Sequence, residues 1–254
     1  MLIGAAMGTE KETAGLSFNN LQIATPNGRP LLHASNVTIG PGVTALVGSN
    51  GSGKSTLLRA LATLHPLAGG SIVLNGTDIA RDPRTFLEQT VYLPQNFATY
   101  PELTGQEFLE YSLRLRGAGR QQASSAATAW MNAVGLAAAA KSKTGAYSQG
   151  MLQRLGFAYA MQLEVSLYLL DEPFAGVDPE SRQAMTDLLF RLAAGRIAIV
   201  STHHVDEMFA RGSGFVRIVE GRLVLYWPRN LSRVFAGSAG PRNSGLQSPG
   251  RSYF

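Results

Sequence analysis

The chain has 254 residues, of which 45% are hydrophobic, and it contains no cysteine. This length allows one or two domains, and this hydrophobic content is ordinary for a globular protein and too high for a disordered chain. The absence of cysteine excludes disulfide bonds, zinc thiolate sites and a cysteine nucleophile.

The basic excess is concentrated near the C-terminus. The formal net charge is +5, but the residues from Arg211 onward contain seven arginines and one acid, Glu220, which leaves 15 basic and 16 acidic residues upstream. A nucleic-acid-binding domain would spread its basic side chains over a working face, so no nucleic-acid partner is expected. Residues 236–254 are rich in Gly, Ser and Pro and are predicted to form a disordered basic tail.

The sequence contains no predicted membrane span. The longest apolar runs, Val165 to Leu170 and Ile197 to Val200, are far shorter than the roughly 18 to 20 residues that cross a bilayer. The apolar run from Met1 to Met7 has no basic residue before it and does not resemble a secretory signal. We therefore expect a cytoplasmic protein in which residues 1–17 form an N-terminal extension.

Strands and helices alternate along most of the chain. Extended segments are predicted between Leu21 and Ile39, with a turn at Pro26-Asn27-Gly28. Further strands are predicted at 43–47, 71–74, 90–93, 165–170 and 197–201, and helices at 57–64, within 95–143 and at 179–194. Thr104 and Glu107 form a capping-box pattern in the helical block. This alternation predicts an α/β fold with a mostly parallel sheet.

A glycine-rich loop lies between the strand at 43–47 and the following helix. Its residues match the phosphate-loop pattern of glycine, four residues, Gly-Lys and Ser: Gly48, Ser49, Asn50, Gly51, Ser52, Gly53, Lys54 and Ser55. Glycines allow successive N–H groups and the helix N-terminus to face an anion, while lysine adds a point charge and serine a Mg²⁺ ligand. The alternative is a chance glycine-rich turn, but the order of strand, loop and helix favours phosphate binding.

Two acids, Asp171 and Glu172, follow the apolar strand at 165–170. An aspartate at such a strand end can hold Mg²⁺ beside a phosphate loop, and an adjacent glutamate can orient or deprotonate an attacking water. The alternative is a strand that ends in solvated acids. The phosphate loop in the same chain favours the functional interpretation and separates this chain from nucleotide kinases, which need no hydrolytic base.

From residue 18 to residue 232 the chain resembles the ATP-binding subunits of ABC transporters. Besides the two motifs above, the resemblance depends on four segments in a fixed order. Tyr92 to Gln95 is similar to the glutamine loop, and Tyr147 to Arg154 is similar to the signature motif. Pro173 to Pro179 is similar to the D-loop, and Ser201 to Glu207 is similar to the switch-histidine segment. The resemblance implies a P-loop NTPase core with a mostly parallel sheet and an N-terminal antiparallel β part. It also implies an ATPase domain over 18–235 and a helical subdomain over about 96–160.

The resemblance also implies roles for single residues. The phosphate loop and Thr56 would bind ATP, and Ser55, Gln95 and Asp171 would hold Mg²⁺. The catalytic residues would be Lys54, Gln95, Glu172 and His203. Further nucleotide contacts would come from Asp178 and, across a dimer interface, from Ser148 and Gly150. Such a family member works with a second ATPase subunit, most simply in a homodimer. It drives an integral-membrane permease from the cytoplasmic face of the membrane.

Three of these assignments have structural alternatives. Gln95 follows Pro94 and could be an ordinary loop residue, and Ser148 could serve only as a helix cap. His203 is favoured over the adjacent His204 because His203 has the family's spacing to Glu207.

Two departures from the family pattern concern nucleotide recognition. Gln149 occupies a position of the signature motif that is usually glycine, which predicts slow or partner-dependent hydrolysis. The aromatic residue expected to stack on adenine has no counterpart in the segment 25–28, and Phe18 lies too far upstream.

We therefore expect an ATPase subunit of a transporter. The segment 91–117 most resembles the branch that includes exporters. The main alternative is an ABC-type ATPase that acts on DNA or ribosomes without a permease. Such proteins usually carry a long coiled-coil insertion or two ATPase domains, which 254 residues do not accommodate.

Overall fold

The computed structural model describes residues 15–25, 27–211 and 214–226. In these ranges eleven strands form one mixed sheet and seven α-helices pack against it. The strands are β1 (Leu16–Ala24), β2 (Pro30–Ala34), β3 (Val37–Ile39), β4 (Gly42–Val47), β5 (Gly69–Leu74), β6 (Thr77–Asp78), β7 (Thr90–Leu93), β8 (Leu167–Asp171), β9 (Ile197–Ser201), β10 (Gly214–Val219) and β11 (Arg222–Tyr226). The helices are α1 (Lys54–Leu61), α2 (Pro83–Glu88), α3 (Gly105–Leu115), α4 (Arg120–Ala133), α5 (Gln149–Met161), α6 (Pro179–Leu192) and α7 (Val205–Ala210).

The sheet has a parallel part and an antiparallel part. Strands β10, β4, β9, β8 and β7 are neighbours in that order, and every pair among them is parallel. Strand β1 pairs antiparallel with β2, β3 and β5. The predicted α/β class, with a mostly parallel core and an N-terminal antiparallel part, is therefore confirmed.

The central strands are apolar because both faces of the sheet are covered. All five residues of β8 are buried. Leu167 and Leu169 pack into one hydrophobic cluster, which includes α1 and the N-terminal strands, while Tyr168 and Leu170 pack into the other, which includes α3, α4 and α5. Consecutive residues of a strand point to opposite faces, so a buried parallel strand has a continuous apolar run rather than an alternating pattern.

The predicted capping box begins helix α3. The Glu107 N–H donates to the Thr104 hydroxyl at 3.2 Å, and the Thr104 N–H donates to the Glu107 carboxylate at 2.8 Å. Within the block 95–143 that was predicted to be helical, the first helix, α3, begins at Gly105, directly after the predicted cap. Pro101 disfavours helical geometry at the residue before it, and the cap at Thr104 then provides a starting point.

Several elements were not predicted from the sequence. They are the first half of β1, helices α2 and α7, and strands β6, β10 and β11. Strand β10 pairs with β4 in the centre of the sheet, so the basic C-terminal segment that begins at Arg211 includes part of the core. Most of the predicted N-terminal extension and the whole predicted tail lie outside the described residues, and within those residues no helix is both long enough and apolar enough to cross a membrane.

Candidate functional site

The carboxyl ends of four neighbouring parallel strands form one edge of the sheet. Strands β4, β9, β8 and β7 end there, and the segments that follow them carry most of the predicted site residues. A cavity of about 440 Å³ at this edge is lined by Leu31, Asn50, Gly51, Gly53, Lys54, Ser55, Thr56, Gln95, Asp171, Glu172 and His203. Residues that are far apart in sequence thus surround one space, since parallel strands bring their carboxyl ends to the same edge.

The loop between β4 and α1 adopts a conformation that depends on glycine. Gly51 and Gly53 have φ angles of 76° and 104°, in the region that L-residues rarely occupy. Gly53 is also the N-cap of α1, and the first turn of this helix contains no acidic residue. The unpaired N–H groups of the first turn and the positive end of the helix dipole are therefore available to an anion in the cavity.

Lys54 spans the loop from within the helix. Its ammonium group donates hydrogen bonds to the carbonyl oxygens of Gly48 at 2.8 Å and of Ser49 at 3.2 Å. A cation held against its own loop is prepositioned beside the cavity, so it can meet a phosphate without a large rearrangement of the lysine side chain.

Asp171 ends strand β8 and is almost completely buried, at 2% exposure. Ser201, at the end of the adjacent strand β9, pairs with it in register, and the Ser201 hydroxyl donates to the Asp171 carboxylate at 2.6 Å. The same hydroxyl accepts a hydrogen bond from the Glu172 N–H at 2.9 Å. One fully buried hydroxyl therefore fixes both acidic positions.

Glu172 lies one residue beyond the strand and has a left-handed backbone conformation, with φ of 50°. This conformation is uncommon for a residue with a side chain, and it turns the chain sharply at the end of β8. The Glu172 N–H also donates to the Ser201 carbonyl at 3.1 Å. The Glu172 carbonyl accepts hydrogen bonds from the Gln153 amide at 2.9 Å and from the Ala175 N–H at 3.1 Å.

The Glu172 carboxylate has an environment that favours a proton acceptor. Burial raises the pKa of Glu172, nearby Asp171 raises it further, and His203 and Lys54 partly oppose this shift. The Nε2 atom of His203 lies 3.2 Å from Oε1 of Glu172, and the His203 side chain is 63% exposed. A carboxylate with a raised pKa is a stronger base than an exposed one, which suits proton abstraction from water.

The structure separates the two adjacent histidines. His203 lines the cavity, whereas His204 lies 3.4 Å from the Arg182 guanidinium, which also pairs with Glu207 at 3.1 Å. Glu207, which was expected to mark the switch-histidine segment, therefore joins α7 to α6 and does not line the cavity.

Of the predicted phosphate-loop residues, Gly48, Ser49 and Ser52 do not line the cavity, and neither do the three nucleotide contacts that were predicted outside that loop. Ser148 is the N-cap of α5, where its hydroxyl accepts a hydrogen bond from the Met151 N–H at 3.3 Å. Gly150 is the second residue of that helix. Asp178 caps α6 by accepting from the Ser181 N–H at 2.9 Å, and this hydrogen bond lowers the pKa of Asp178. None of the three lines the cavity, and the capping alternative considered for Ser148 is observed in the single chain.

Sequence reasoning assigned no role to three residues of this site. Leu31 of β2 lines the cavity, Ser201 bridges the acids, and Gln153 donates to the Glu172 carbonyl. Ser201 had a detectable signal, because it ends a strand predicted to be parallel to β8. Phe18, which was considered as an adenine-stacking residue, is fully buried in the core and does not line the cavity.

The chain is similar to known proteins in sequence and in fold. A model of the ABC transporter family matches residues 32–175. The chain is similar to the solved "Structure of ATP binding subunit of ABC transporter", with a TM-score of 0.77 and 26% identity over 87% of this chain and 93% of that one.

Two curated relatives have similar sequences. The human retinal-specific phospholipid-transporting ATPase ABCA4 is 33% identical over 82% of this chain, and daunorubicin resistance ATP-binding protein DrrA2 from Streptomyces coeruleorubidus is 34% identical over 76%. The matching region spans 9% of the length of the first and 61% of the length of the second.

Proposed function

The chain belongs to the ABC transporter family, and on this premise we propose that it binds ATP with Mg²⁺ and hydrolyses it to drive a membrane permease. The observation that carries the proposal is the single cavity that joins the phosphate loop, Asp171, Glu172, Gln95 and His203. A phosphate-binding loop, a metal-binding acid and a base are the three components that ATP hydrolysis requires.

The residues at the cavity are suited to Mg²⁺. Ser55, Gln95 and Asp171 offer a hydroxyl, an amide and a carboxylate oxygen, which are hard ligands. Among the described residues no three or more His, Asp or Glu side chains form a group that could hold a metal by themselves. This donor set fits Mg²⁺, which usually takes few protein ligands and completes its shell with water and substrate phosphates. When bound, Mg²⁺ would neutralise charge on the phosphates.

The chain's own residues would perform the remaining functions. The loop N–H groups and Lys54 would bind the phosphates, and Glu172 would accept a proton from the attacking water. His203, which lines the cavity and lies 3.2 Å from Glu172, would contact the terminal phosphate. The raised pKa of Glu172 supports its role as general base.

The signature residues support action in a dimer. Ser148 is exposed and lies at the N-terminus of a helix of 13 residues, outside its own chain's cavity. A helix N-terminus attracts phosphate, so a second subunit could place its nucleotide there. We infer a dimer of ATPase subunits in which each nucleotide lies between the phosphate loop of one subunit and Ser148 and Gly150 of the other.

An apolar groove supports docking of the permease. The groove has a volume of about 530 Å³ and lies between the segment that follows β7 and helix α3. Its lining includes three exposed large side chains, Tyr100, Tyr111 and Leu115, which are 57%, 44% and 69% exposed. Exposed aromatic and aliphatic side chains that line one groove suit an apolar partner segment, and the groove adjoins Gln95 through Asn96.

The names of the relatives support the class of function. One is a phospholipid-transporting ATPase and the other confers daunorubicin resistance. They favour a transporter over an ATPase that acts on DNA or ribosomes. We further propose that the transporter is an exporter and that the chain lies on the cytoplasmic face of the membrane.

ATPase measurements on purified chain test the proposal. We expect Mg²⁺-dependent hydrolysis that falls at least about a hundredfold in Glu172→Gln, because the base is lost while the shape is retained. ATP binding, measured by equilibrium fluorescence with a labelled analogue, should survive in Glu172→Gln and be lost in Lys54→Ala. Glu102→Gln is the matched control, since that glutamate is 84% exposed and outside the cavity. Hydrolysis by Glu172→Gln at the wild-type rate would contradict the assignment of the base.

A further inference from the structure

Helix α5 contacts the turn at residues 172–176 along one of its faces. Residues 150, 153 and 157 are spaced so that they lie on the same side of a helix. The three contacts are Gly150 with the Gly176 carbonyl, Gln153 with the Glu172 carbonyl, and the ring of Phe157 with that of Phe174 at 6.2 Å between centroids. A methyl group added to Gly150 would lie 2.8 Å from the Gly176 oxygen, so the two backbones are in close contact.

Gln153 makes the polar contact of this face. It is 1% exposed, and its neighbours on α5, Leu155, Phe157 and Ala158, are fully buried in the hydrophobic core. A buried amide is unfavourable without a hydrogen-bond partner. The Gln153 Nε2 donates to the Glu172 carbonyl at 2.9 Å, so the amide is directed at the backbone of the proposed catalytic base.

The Glu172 backbone needs such support. Its φ of 50° is unfavourable for a residue with a side chain, and such a conformation persists only where the surroundings hold it. Ser201 holds the N–H from strand β9, and the Ala175 N–H holds the carbonyl within the turn. Gln153 holds the same carbonyl from outside the turn, by a side chain on α5.

We propose that Gln153 is a positioning residue for Glu172, which it orients for ATP hydrolysis from helix α5. The inference rests on the proposed function. Its consequence is that one helix carries both Ser148 and Gly150, which would face the nucleotide of the other subunit, and the side chain that holds the base of its own site. A shift of α5 when the dimer closes would therefore be transmitted to Glu172.

The chain provides a matched control. Gln162, at the C-terminal end of the same helix, is 8% exposed, and its Nε2 donates to the Ser112 hydroxyl at 2.6 Å and to the Leu109 carbonyl at 3.4 Å. Neither of these hydrogen bonds reaches a residue that lines the cavity of the candidate site. Gln162→Met thus removes a buried glutamine amide from α5 without removing a contact to Glu172.

The test compares full-length chains with Gln153→Met, Gln162→Met and Glu172→Gln. For Gln153→Met we expect kcat to fall about tenfold to a hundredfold while the ATP dissociation constant changes less than about twofold. The reason is that Gln153 holds the backbone of the base but does not line the cavity where ATP would bind. Gln162→Met should keep kcat within about twofold of wild type. Hydrogen exchange of nucleotide-free protein should accelerate at the Glu172 and Ala175 amides, which are hydrogen-bonded in this turn, in Gln153→Met only. Gln153→Ala, which favours helix, serves as the second variant if the methionine variant does not fold.

The outcomes separate the two proposals. Equal kcat values for Gln153→Met and Gln162→Met, or unchanged exchange at the Glu172 and Ala175 amides, would overturn the positioning role. A loss of ATP affinity with unchanged kcat would also overturn it. If Glu172→Gln hydrolyses ATP at the wild-type rate, the proposed base is wrong whatever Gln153 does. A fall in kcat for Glu172→Gln together with none for Gln153→Met would refute the present inference alone.

Discussion

Replacement of Ser201 by alanine tests how the two acids are held at the strand ends. The Ser201 hydroxyl is fully buried, donates to the Asp171 carboxylate at 2.6 Å and accepts from the Glu172 N–H at 2.9 Å. Alanine fits the strand but removes both bonds. The Asp171 carboxylate then loses a buried donor, whereas the Glu172 N–H retains the Ser201 carbonyl at 3.1 Å.

The expected loss of stability follows from the two bonds. A buried hydrogen bond to a charged group contributes about 1.5 to 3 kcal/mol, and a neutral one about 0.5 to 1.5 kcal/mol. Since the Glu172 N–H keeps one acceptor, its contribution lies at the low end of that range. We expect Ser201→Ala to lower the free energy of unfolding by about 2 to 4 kcal/mol, or the melting temperature by roughly 4 to 16 °C for a chain of this size.

Urea denaturation without nucleotide at neutral pH measures this loss, with Ser112→Ala as the control. Ser112 is also buried, donates to the Leu109 carbonyl at 2.8 Å and accepts from the Gln162 amide at 2.6 Å, but both of its partners are neutral. The control should lose about 1 to 2 kcal/mol and retain ATPase activity. If Ser201→Ala loses no more than Ser112→Ala, the carboxylate does not depend on Ser201 and the reasoning fails.

Two further predictions concern single positions. Glu172→Gln should stabilise the nucleotide-free chain at neutral pH, because burial raises the Glu172 pKa and ionisation of that group therefore opposes folding. The stabilisation should appear as pH rises above the ordinary glutamate pKa of about 4.3 and vanish below it, and denaturation at a series of pH values checks this. Gly156→Ala should cost about 1 to 3 kcal/mol despite the better helix propensity of alanine, because the added methyl would lie 2.8 Å from the Phe97 ring and 2.9 Å from Leu93. Gly40→Ala, which meets nothing within 4 Å, is the control for the same urea measurement, and equal stabilities would show that the Gly156 site relaxes freely.

Elements with a regular and uninterrupted sequence pattern were predicted from the sequence, and elements without one were not. Strands β4, β8 and β9 were predicted because a strand buried on both faces is a continuous apolar run. The capping box at Thr104 was found because its hydrogen bonds join residues three apart. Strands β10 and β11 were not predicted because both are short and each contains an arginine within or beside its apolar run, although β10 pairs with the central strand β4.

The sequence by itself determined the chemistry of this protein, because the phosphate loop and the two acids are contiguous patterns that depend on residue type and spacing. The tertiary structure decided which distant residues meet. It directs Gln153 to Glu172, pairs Ser201 with Asp171 and distinguishes His203 from His204, since strand order and helix packing set these contacts. The physical reason is that the residue type fixes the chemical groups of a side chain. Which other side chain those groups contact depends on how the strands and helices pack.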